Sequence, residues 1–112
     1  MSHISTHVLN NAIGEPAVGL AIAVYFQREE KWDLIATGTT NQDGRLPDLY
    51  EPEEGIQAGI YRIRFSTGDY FSSLGVKPFY PWAEVVFTAA EDQSYHIPLL
   101  LSNFGYSTYR GS

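Results

Sequence analysis

The sequence LAIAVYFQ, at residues 20–27, carries the pattern that decides the fold. Large apolar side chains occupy every second position, and alanine, tyrosine and glutamine fill the positions between them. Successive side chains of a β-strand point to opposite faces, so this alternation predicts a strand with one face on a hydrophobic core. Residues 59–66 repeat the pattern, with aromatic and aliphatic side chains expected inward and Arg62 and Arg64 outward.

The rest of the chain reads as short strands separated by turn signals. The predicted strands are residues 4–10, 20–27, 32–39, 46–50, 59–66, 83–88, 94–101 and a final strand from residue 106. Pro47 limits the fourth to a sheet edge, because proline has no amide hydrogen to donate to a neighbouring strand. About eight strands at this spacing are typical of an antiparallel β-sandwich. The sequence therefore predicts an all-β fold in a single domain over residues 1–112.

One short helix and the facing of the third strand are also predicted. Asp69 is expected to cap one or two helical turns that end at Gly75. In the third strand, Trp32, Leu34 and Ala36 are expected to share one face, because they occupy alternate positions.

The composition excludes several classes of function. Aromatic residues make up 14% and charged residues 18% of the 112 residues, which indicates a packed protein and not a disordered one. The net charge of −6, without a basic cluster, argues against a nucleic-acid partner. The absence of cysteine excludes disulfides and thiolate chemistry. No phosphate loop, nucleophile elbow or dinucleotide fingerprint occurs.

The expected cellular compartment is inferred from the N-terminal sequence and from the length of the apolar runs. No run is long enough to span a membrane, and no secretory signal is visible in the first residues. We therefore expect a cytoplasmic protein without a membrane partner, or a periplasmic one if a signal peptide has been removed. The lack of cysteine suits either redox environment and does not decide the compartment.

Two histidines are expected on strand faces that point away from the core. In the strand at residues 94–101 the alternate apolar residues form the buried stripe, so His96, Pro98 and Leu100 are predicted to face outward. An outward-facing surface with so many apolar side chains usually belongs to an interface or a pocket. His7 lies on the outward face of the first strand. Both are either part of a site or ordinary surface histidines, and the residues alone favour the second interpretation.

Two imidazoles and a guanidinium suit the hydrolysis of an amide or lactam. An imidazole takes a proton from water near neutral pH, and a guanidinium holds an anionic, planar substrate and stabilises the developing oxyanion. Arg45, directly after the Asp43-Gly44 turn, is the candidate; the alternative is a solvated turn arginine. Residues 109–112 supply a phenol, a cation, a flexible link and the terminal carboxylate; the alternative is a strand with a ragged end.

A metal site is not expected. His3 and His7 lie too far apart along an extended strand to chelate one ion together, and His3 is expected to belong to the N-terminal tail. No cysteine and no tightly spaced pair of histidines is present. We therefore predict neither a metal nor a cofactor.

Four motifs follow one another along the chain. They are Ser5-Thr6-His7-Val8-Leu9-Asn10 with Gly14-Glu15-Pro16-Ala17, then Asp43-Gly44-Arg45, then His96-Ile97-Pro98-Leu99-Leu100-Leu101, and finally Tyr109-Arg110-Gly111-Ser112. In content and order they resemble the motifs of 5-hydroxyisourate hydrolases, the enzymatic branch of the transthyretin family. The resemblance covers essentially the whole chain. Asn103 departs from the proline expected in many members, in a turn that asparagine also suits.

The resemblance implies a transthyretin-like antiparallel β-sandwich that hydrolyses 5-hydroxyisourate without a cofactor. In the family the product is 2-oxo-4-hydroxy-4-carboxy-5-ureidoimidazoline, the second step of urate degradation after urate oxidation. The resemblance also implies a homotetramer, a dimer of dimers, with sites in the clefts between dimers. The alternatives are a transthyretin-like carrier that binds a small molecule without turnover, and a monomeric interaction module without a concave site.

Roles for individual residues are likewise implied by the resemblance. His7 and His96 would bind the substrate and activate or position the water, and which of them is the general base stays open. Arg45 would bind ring oxygens and stabilise negative charge. Ser112 would close the site and help to orient a histidine through its hydroxyl or carboxylate. The remaining substrate-binding residues of the motif would be Tyr109, Arg110 and Gly111.

Overall fold

The computed structural model describes residues 2–112 and places them in nine strands and one helix. In chain order the elements are β1 (Ile4–Asn10), β2 (Glu15–Pro16), β3 (Ala21–Arg28), β4 (Lys31–Thr39), β5 (Arg45–Tyr50), β6 (Gly59–Phe65), α1 (Thr67–Ser73), β7 (Ala83–Ala89), β8 (Tyr95–Leu101) and β9 (Tyr106–Thr108). The predicted all-β fold with one short helix is confirmed. Within the described residues, no helix has the length and apolar character needed to cross a membrane. The compartment stays a prediction.

The strands form two sheets around one hydrophobic core. One sheet has the order β4-β3-β6-β7 with antiparallel neighbours throughout, and the other has the order β2-β1-β8-β9, with β5 also paired to β1. β1 and β8 run parallel, from the Ile4–Tyr95 pair to the Asn10–Leu101 pair. The predicted antiparallel sandwich therefore contains one parallel pair, which joins segments 91 residues apart in sequence.

The alternation predicted for the central strands is confirmed. Val24 of β3 and Ile63 of β6 are register partners, and both are fully buried. Arg62 and Arg64 lie on the outer face of the same sheet and are half-buried. The guanidinium of Arg62 stacks 4.3 Å from the ring centroid of Tyr25, which provides a favourable cation–π contact on this outer surface.

The prediction that Trp32, Leu34 and Ala36 share one face is wrong, because β4 contains a bulge. Consecutive residues of β3 pair with Ala36 and Leu34, so Ile35 has no partner across the ladder. One extra residue reverses the alternation on either side of it. Leu34 consequently lies on the outer face with Trp32 and is 58% exposed, whereas Ala36 packs against the core.

Helix α1 begins earlier than predicted and ends where predicted. Ser66 is the N-cap residue, without a side-chain cap hydrogen bond, and Asp69 lies inside the first turn, where its carboxylate interacts with the positive end of the helix dipole. At the other end Gly75 has φ +74°, and its amide donates to the carbonyl of Ser72 at 3.0 Å. Glycine adopts this left-handed conformation without strain, which explains the stop.

Candidate active site

Strand β1 carries one candidate histidine and lies between the two strands that carry the other candidates. His7 is the register partner of Arg45, the first residue of β5. On the opposite side of β1, Ser5 is the register partner of His96 in β8. Ser5 and His7 are two residues apart and share one face of β1, and directly paired residues project to the same face of a sheet. Three neighbouring strands therefore present His7, Arg45 and His96 on one face.

The outward face of β8 is less exposed than the alternation suggested. His96 and Leu100 are half-buried, but Pro98 is buried. Pro98 is the register partner of His7 on one side, and its carbonyl accepts a hydrogen bond from the hydroxyl of Thr108 at 2.6 Å on the other. Neighbours on both sides cover it, so an outward orientation does not leave Pro98 available as an exposed contact.

The turn before β5 fixes the position of Arg45. The side-chain oxygen of Asn41 accepts hydrogen bonds from the amides of Asp43, at 2.9 Å, and Arg45, at 3.0 Å. Gly44 has φ +72°, and a Cβ there would meet the carbonyl oxygen of Val8 at 2.5 Å. Glycine is therefore required for the turn to lie this close to β1, and the turn places Arg45 beside His7.

A cavity of about 360 Å³ opens on this face of the sheet. Its lining residues are His3, Ser5, Thr6, Arg45, Pro47, Ser94, Tyr95, His96, Gly111 and Ser112. The volume lies within the range of small-molecule sites. The lining combines two imidazoles, a guanidinium, hydroxyls and the chain terminus, which suits a polar, ring-shaped ligand. Residues 2–112 hold no group of three or more His, Cys, Asp or Glu side chains placed to bind a metal ion.

The C-terminal tail closes onto His96 through its backbone. The amide of Gly111 donates to the carbonyl of His96 at 2.8 Å, which continues the pairing of β8 beyond β9. A Cβ on Gly111 would meet Cδ2 of His96 at 2.5 Å, a distance that real Cβ contacts do not reach. Only glycine therefore fits against the imidazole, and this contact brings Ser112 into the cavity lining.

Tyr109 and Arg110 do not line this cavity in the single chain. They line a second cavity of about 240 Å³ with residues 85–88 of β7. The guanidinium of Arg110 stacks 4.9 Å from the ring centroid of Tyr95, and Tyr109 is 57% exposed. The structure thus brings Arg45, His96, Gly111 and Ser112 to one cavity and leaves Tyr109 and Arg110 outside it. His7 does not line this cavity either and is placed beside it by its pairing with Arg45. The contact of Tyr109 and Arg110 with a substrate stays a prediction.

Burial and the neighbouring cation favour neutral imidazoles. Burial lowers the pKa of His7, and Arg45 lowers it further, while the backbone and carboxylate of Asp43 act in the opposite direction. Burial likewise lowers the pKa of His96, with further lowering from Arg45 and then His7. Both rings are therefore mostly neutral at pH 7 and able to accept a proton.

Several cavity residues were missed from the sequence. His3, expected in the tail, lines the cavity, and its Nδ1 lies 3.3 Å from the hydroxyl of Ser94. The hydroxyl of Ser5 lies 2.8 Å from Nδ1 of His96. Ser5 of β1, and His3 directly before β1, are spaced by even numbers of residues from His7, so the alternation could have placed them on the same face as His7. The partner across the sheet could not be known without the register.

Comparison with known proteins agrees with this arrangement. The model of the HIUase/Transthyretin family matches residues 4–111. A 5-hydroxyisourate hydrolase from Mus musculus is 44% identical over 114 residues, which covers 99% of this chain and 96% of that protein.

Solved structures extend the comparison to both branches of the family. The structure of Klebsiella pneumoniae 5-hydroxyisourate hydrolase aligns with a TM-score of 0.86 at 33% identity, covering 100% of each chain. Sea bream transthyretin in complex with thyroxine aligns with a TM-score of 0.88 at 34% identity, covering 96% of this chain and 93% of that one. With a matching family model over nearly its whole length, the chain belongs to the HIUase/transthyretin family.

Proposed function

We propose that the protein hydrolyses 5-hydroxyisourate, opening its six-membered ring to give 2-oxo-4-hydroxy-4-carboxy-5-ureidoimidazoline in urate degradation. The observation that carries this proposal is the cavity shared by Arg45, His96 and Ser112, with His7 paired to Arg45 on the neighbouring strand. Relatives named as 5-hydroxyisourate hydrolases support the substrate.

Ring opening needs a water molecule, a proton acceptor and a group that stabilises an oxyanion. One neutral imidazole takes a proton from the water while the water oxygen bonds to the ring carbonyl carbon. The Arg45 guanidinium stabilises the negative charge that develops on the carbonyl oxygen. When the carbon–nitrogen bond breaks, the imidazolium returns the proton to the ring nitrogen. The product is a single molecule that carries a carboxylic acid, which ionises, and a ureido group.

The C-terminal residue closes the reaction space in this proposal. Ser112 lines the cavity beside His96, and its hydroxyl and α-carboxylate are the groups available to orient a histidine or hold the water. Tyr109, Arg110 and Gly111 complete the substrate contacts. Because Tyr109 and Arg110 lie outside the cavity of the single chain, we assign their contacts to a cleft shared between subunits.

The rival function is small-molecule carriage without turnover. The alignment with a thyroxine-bound transthyretin supports this rival function, because it shows that the same fold also suits a carrier. A carrier of a hydrophobic ligand does not need two neutral imidazoles beside a guanidinium. The hydrolase is therefore the better account of these residues.

Replacing either histidine with asparagine should remove most of the activity. His7→Asn and His96→Asn are expected to lower kcat by about 10²- to 10⁴-fold, because each imidazole is proposed either to bind the substrate or to transfer a proton in the reaction. The measurement is the ultraviolet decay of 5-hydroxyisourate generated by urate oxidase, corrected for the spontaneous reaction. Thermal unfolding should match the wild type, since both side chains lie outside the core. Full activity in both variants would overturn the mechanism.

The pH dependence should report the lowered histidine pKa values. A base that must be neutral loses activity as pH falls through its folded pKa, so the acid limb of kcat/KM should lie below the ordinary value of 6.5. Arg45→Met removes a cation that lowers both pKa values, so both should rise. Nuclear magnetic resonance titration of the imidazole protons measures this without turnover.

A matched control for that titration is Arg28→Met, since Arg28 pairs with Asp33 at 2.8 Å on an exposed hairpin. It should leave both titrations unchanged. Unaltered histidine titrations in Arg45→Met would contradict the proposed electrostatic coupling.

Adding one methyl group at Gly111 should disturb catalysis and not folding. In Gly111→Ala the new Cβ would overlap Cδ2 of His96, so the ring or the tail must move, and kcat is expected to fall roughly tenfold or more. Gly105→Ala is the control, because a Cβ there has no atom within 4 Å. Equal activity of the two variants would show that the tail contact has no catalytic role.

We also propose that the protein acts as a homotetramer, a dimer of dimers. Val86 and Tyr109 lie near the free edges of the two sheets, and each is 57% exposed in the single chain. Sedimentation velocity at micromolar concentration should give four times the 12.5 kDa chain mass. A stable monomer would remove the shared cleft from the account.

A further inference from the structure

The side chain of Ser5 makes a direct contact with the imidazole of His96. The two residues are register partners in the parallel β1–β8 ladder, and the Oγ of Ser5 lies 2.8 Å from Nδ1 of His96. Both side chains are half-buried and line the same cavity. Strand pairing fixes both backbones, so this hydrogen bond is built into the sheet and does not depend on a mobile loop.

The tail restricts the same ring from another side. A Cβ on Gly111 would lie 2.5 Å from Cδ2 and 3.2 Å from Cγ of His96, so the backbone of the tail packs directly on that edge. With Nδ1 bonded to Ser5 and the Cδ2 edge covered, Nε2 is the ring nitrogen left to interact with a molecule in the cavity. Its chemistry depends on which nitrogen carries the proton.

The hydrogen bond between Ser5 and His96 can run in either direction, and the charge of Arg45 favours one of them. A serine hydroxyl can donate to Nδ1, which leaves a proton on Nε2, or accept from Nδ1–H, which leaves a lone pair on Nε2. Arg45 lines the same cavity, and its positive charge favours a lone pair over an N–H group directed into that space. The charge of Arg45 therefore favours the second direction.

We propose that Ser5 is a positioning residue that accepts the Nδ1–H of His96 and holds Nε2 unprotonated toward the cavity. This inference rests on the proposed ring-opening function. It assigns to His96 the uptake of the proton from water. As the water O–H bond breaks, the proton moves to Nε2, the water oxygen bonds to the carbonyl carbon, and the C=O π electrons move to the carbonyl oxygen as an oxyanion. The imidazole stays hydrogen-bonded to Ser5 throughout, and it returns the proton to the ring nitrogen when the carbon–nitrogen bond breaks. Ser5 acts through the imidazole in this step and transfers no proton to water or substrate itself.

The experiment compares Ser5→Ala, which removes the hydroxyl, with Ser5→Thr, which keeps it. Ser72→Ala, an exposed serine on α1, is the control for a serine-to-alanine change remote from the cavity. The first readout is the tautomer of His96, taken from long-range proton–nitrogen correlation spectra of the nitrogen-15-labelled protein above pH 6.5. The His96 signals are identified by their loss in His96→Asn.

The expected spectra and kinetics distinguish a residue that positions the His96 imidazole from one with only a structural role. Wild type and Ser5→Thr should show a protonated Nδ1 and a free Nε2, and Ser5→Ala should shift toward the opposite tautomer. In the 5-hydroxyisourate assay, Ser5→Ala should lose roughly 10- to 100-fold in kcat with KM little changed, and Ser5→Thr should recover most of it. Ser72→Ala should match the wild type.

Two results would overturn the inference: a wild-type His96 protonated on Nε2, or a Ser5→Ala variant with unchanged tautomer and kcat. A correct tautomer response in a protein that does not accelerate 5-hydroxyisourate decay would support the positioning by Ser5 and contradict the proposed function instead. The spectra therefore distinguish failure of the Ser5 inference from failure of the proposed function.

Discussion

The parallel pairing of β1 with β8 is the interaction on which the site depends. It joins the two ends of the chain, from the Ile4–Tyr95 pair to the Asn10–Leu101 pair. The buried hydroxyl of Thr6 reinforces it with a 2.6 Å hydrogen bond to the carbonyl of Ile97. On the other face of the same two strands, the pairing sets Ser5 against His96. Core packing and the geometry of the site thus come from alternate residues of one ladder.

Glycine provides the close approaches that this arrangement needs. Gly44 lets the turn before β5 lie against β1, and Gly111 lets the tail lie against the ring of His96. At both positions a side chain would overlap a neighbouring atom, and the residue Gly111 itself lines the cavity. The turn at Gly44 positions the guanidinium of Arg45, and the bridge between Gly111 and His96 positions the chain terminus. Burial and the charge of Arg45 both lower the pKa of His96.

Much of the fold could be predicted because period-two patterns report directly on a buried face. The alternation in β3 and β6, the outward histidines and the helix stop at Gly75 all follow from local rules. The bulge at Ile35 could not be predicted, since one extra residue leaves no clear mark on the composition of β4.

The site was predictable to a smaller extent, because its contacts cross between strands. The position of Arg45 beside His7 depends on a register that no single strand encodes. Ser5 shows the same limit: parity gives its face, but only the parallel pairing gives its partner. Pro98 faces outward by parity and is nevertheless buried by its neighbours. Tyr109 and Arg110 lie outside the cavity of a single chain, so their predicted roles depend on the assembly.

The most direct measurement of the central claim is the rate at which the ring-opened product forms with and without the protein, with an oxygen from labelled water marking its new carboxylate. 5-Hydroxyisourate would be generated in oxygen-18 water with and without the protein, quenched at early times and analysed by mass spectrometry. The account predicts rapid, protein-dependent formation of a product that carries one labelled oxygen in its carboxylate. Labelled product that forms no faster with the protein than without it would contradict the account and indicate binding without turnover.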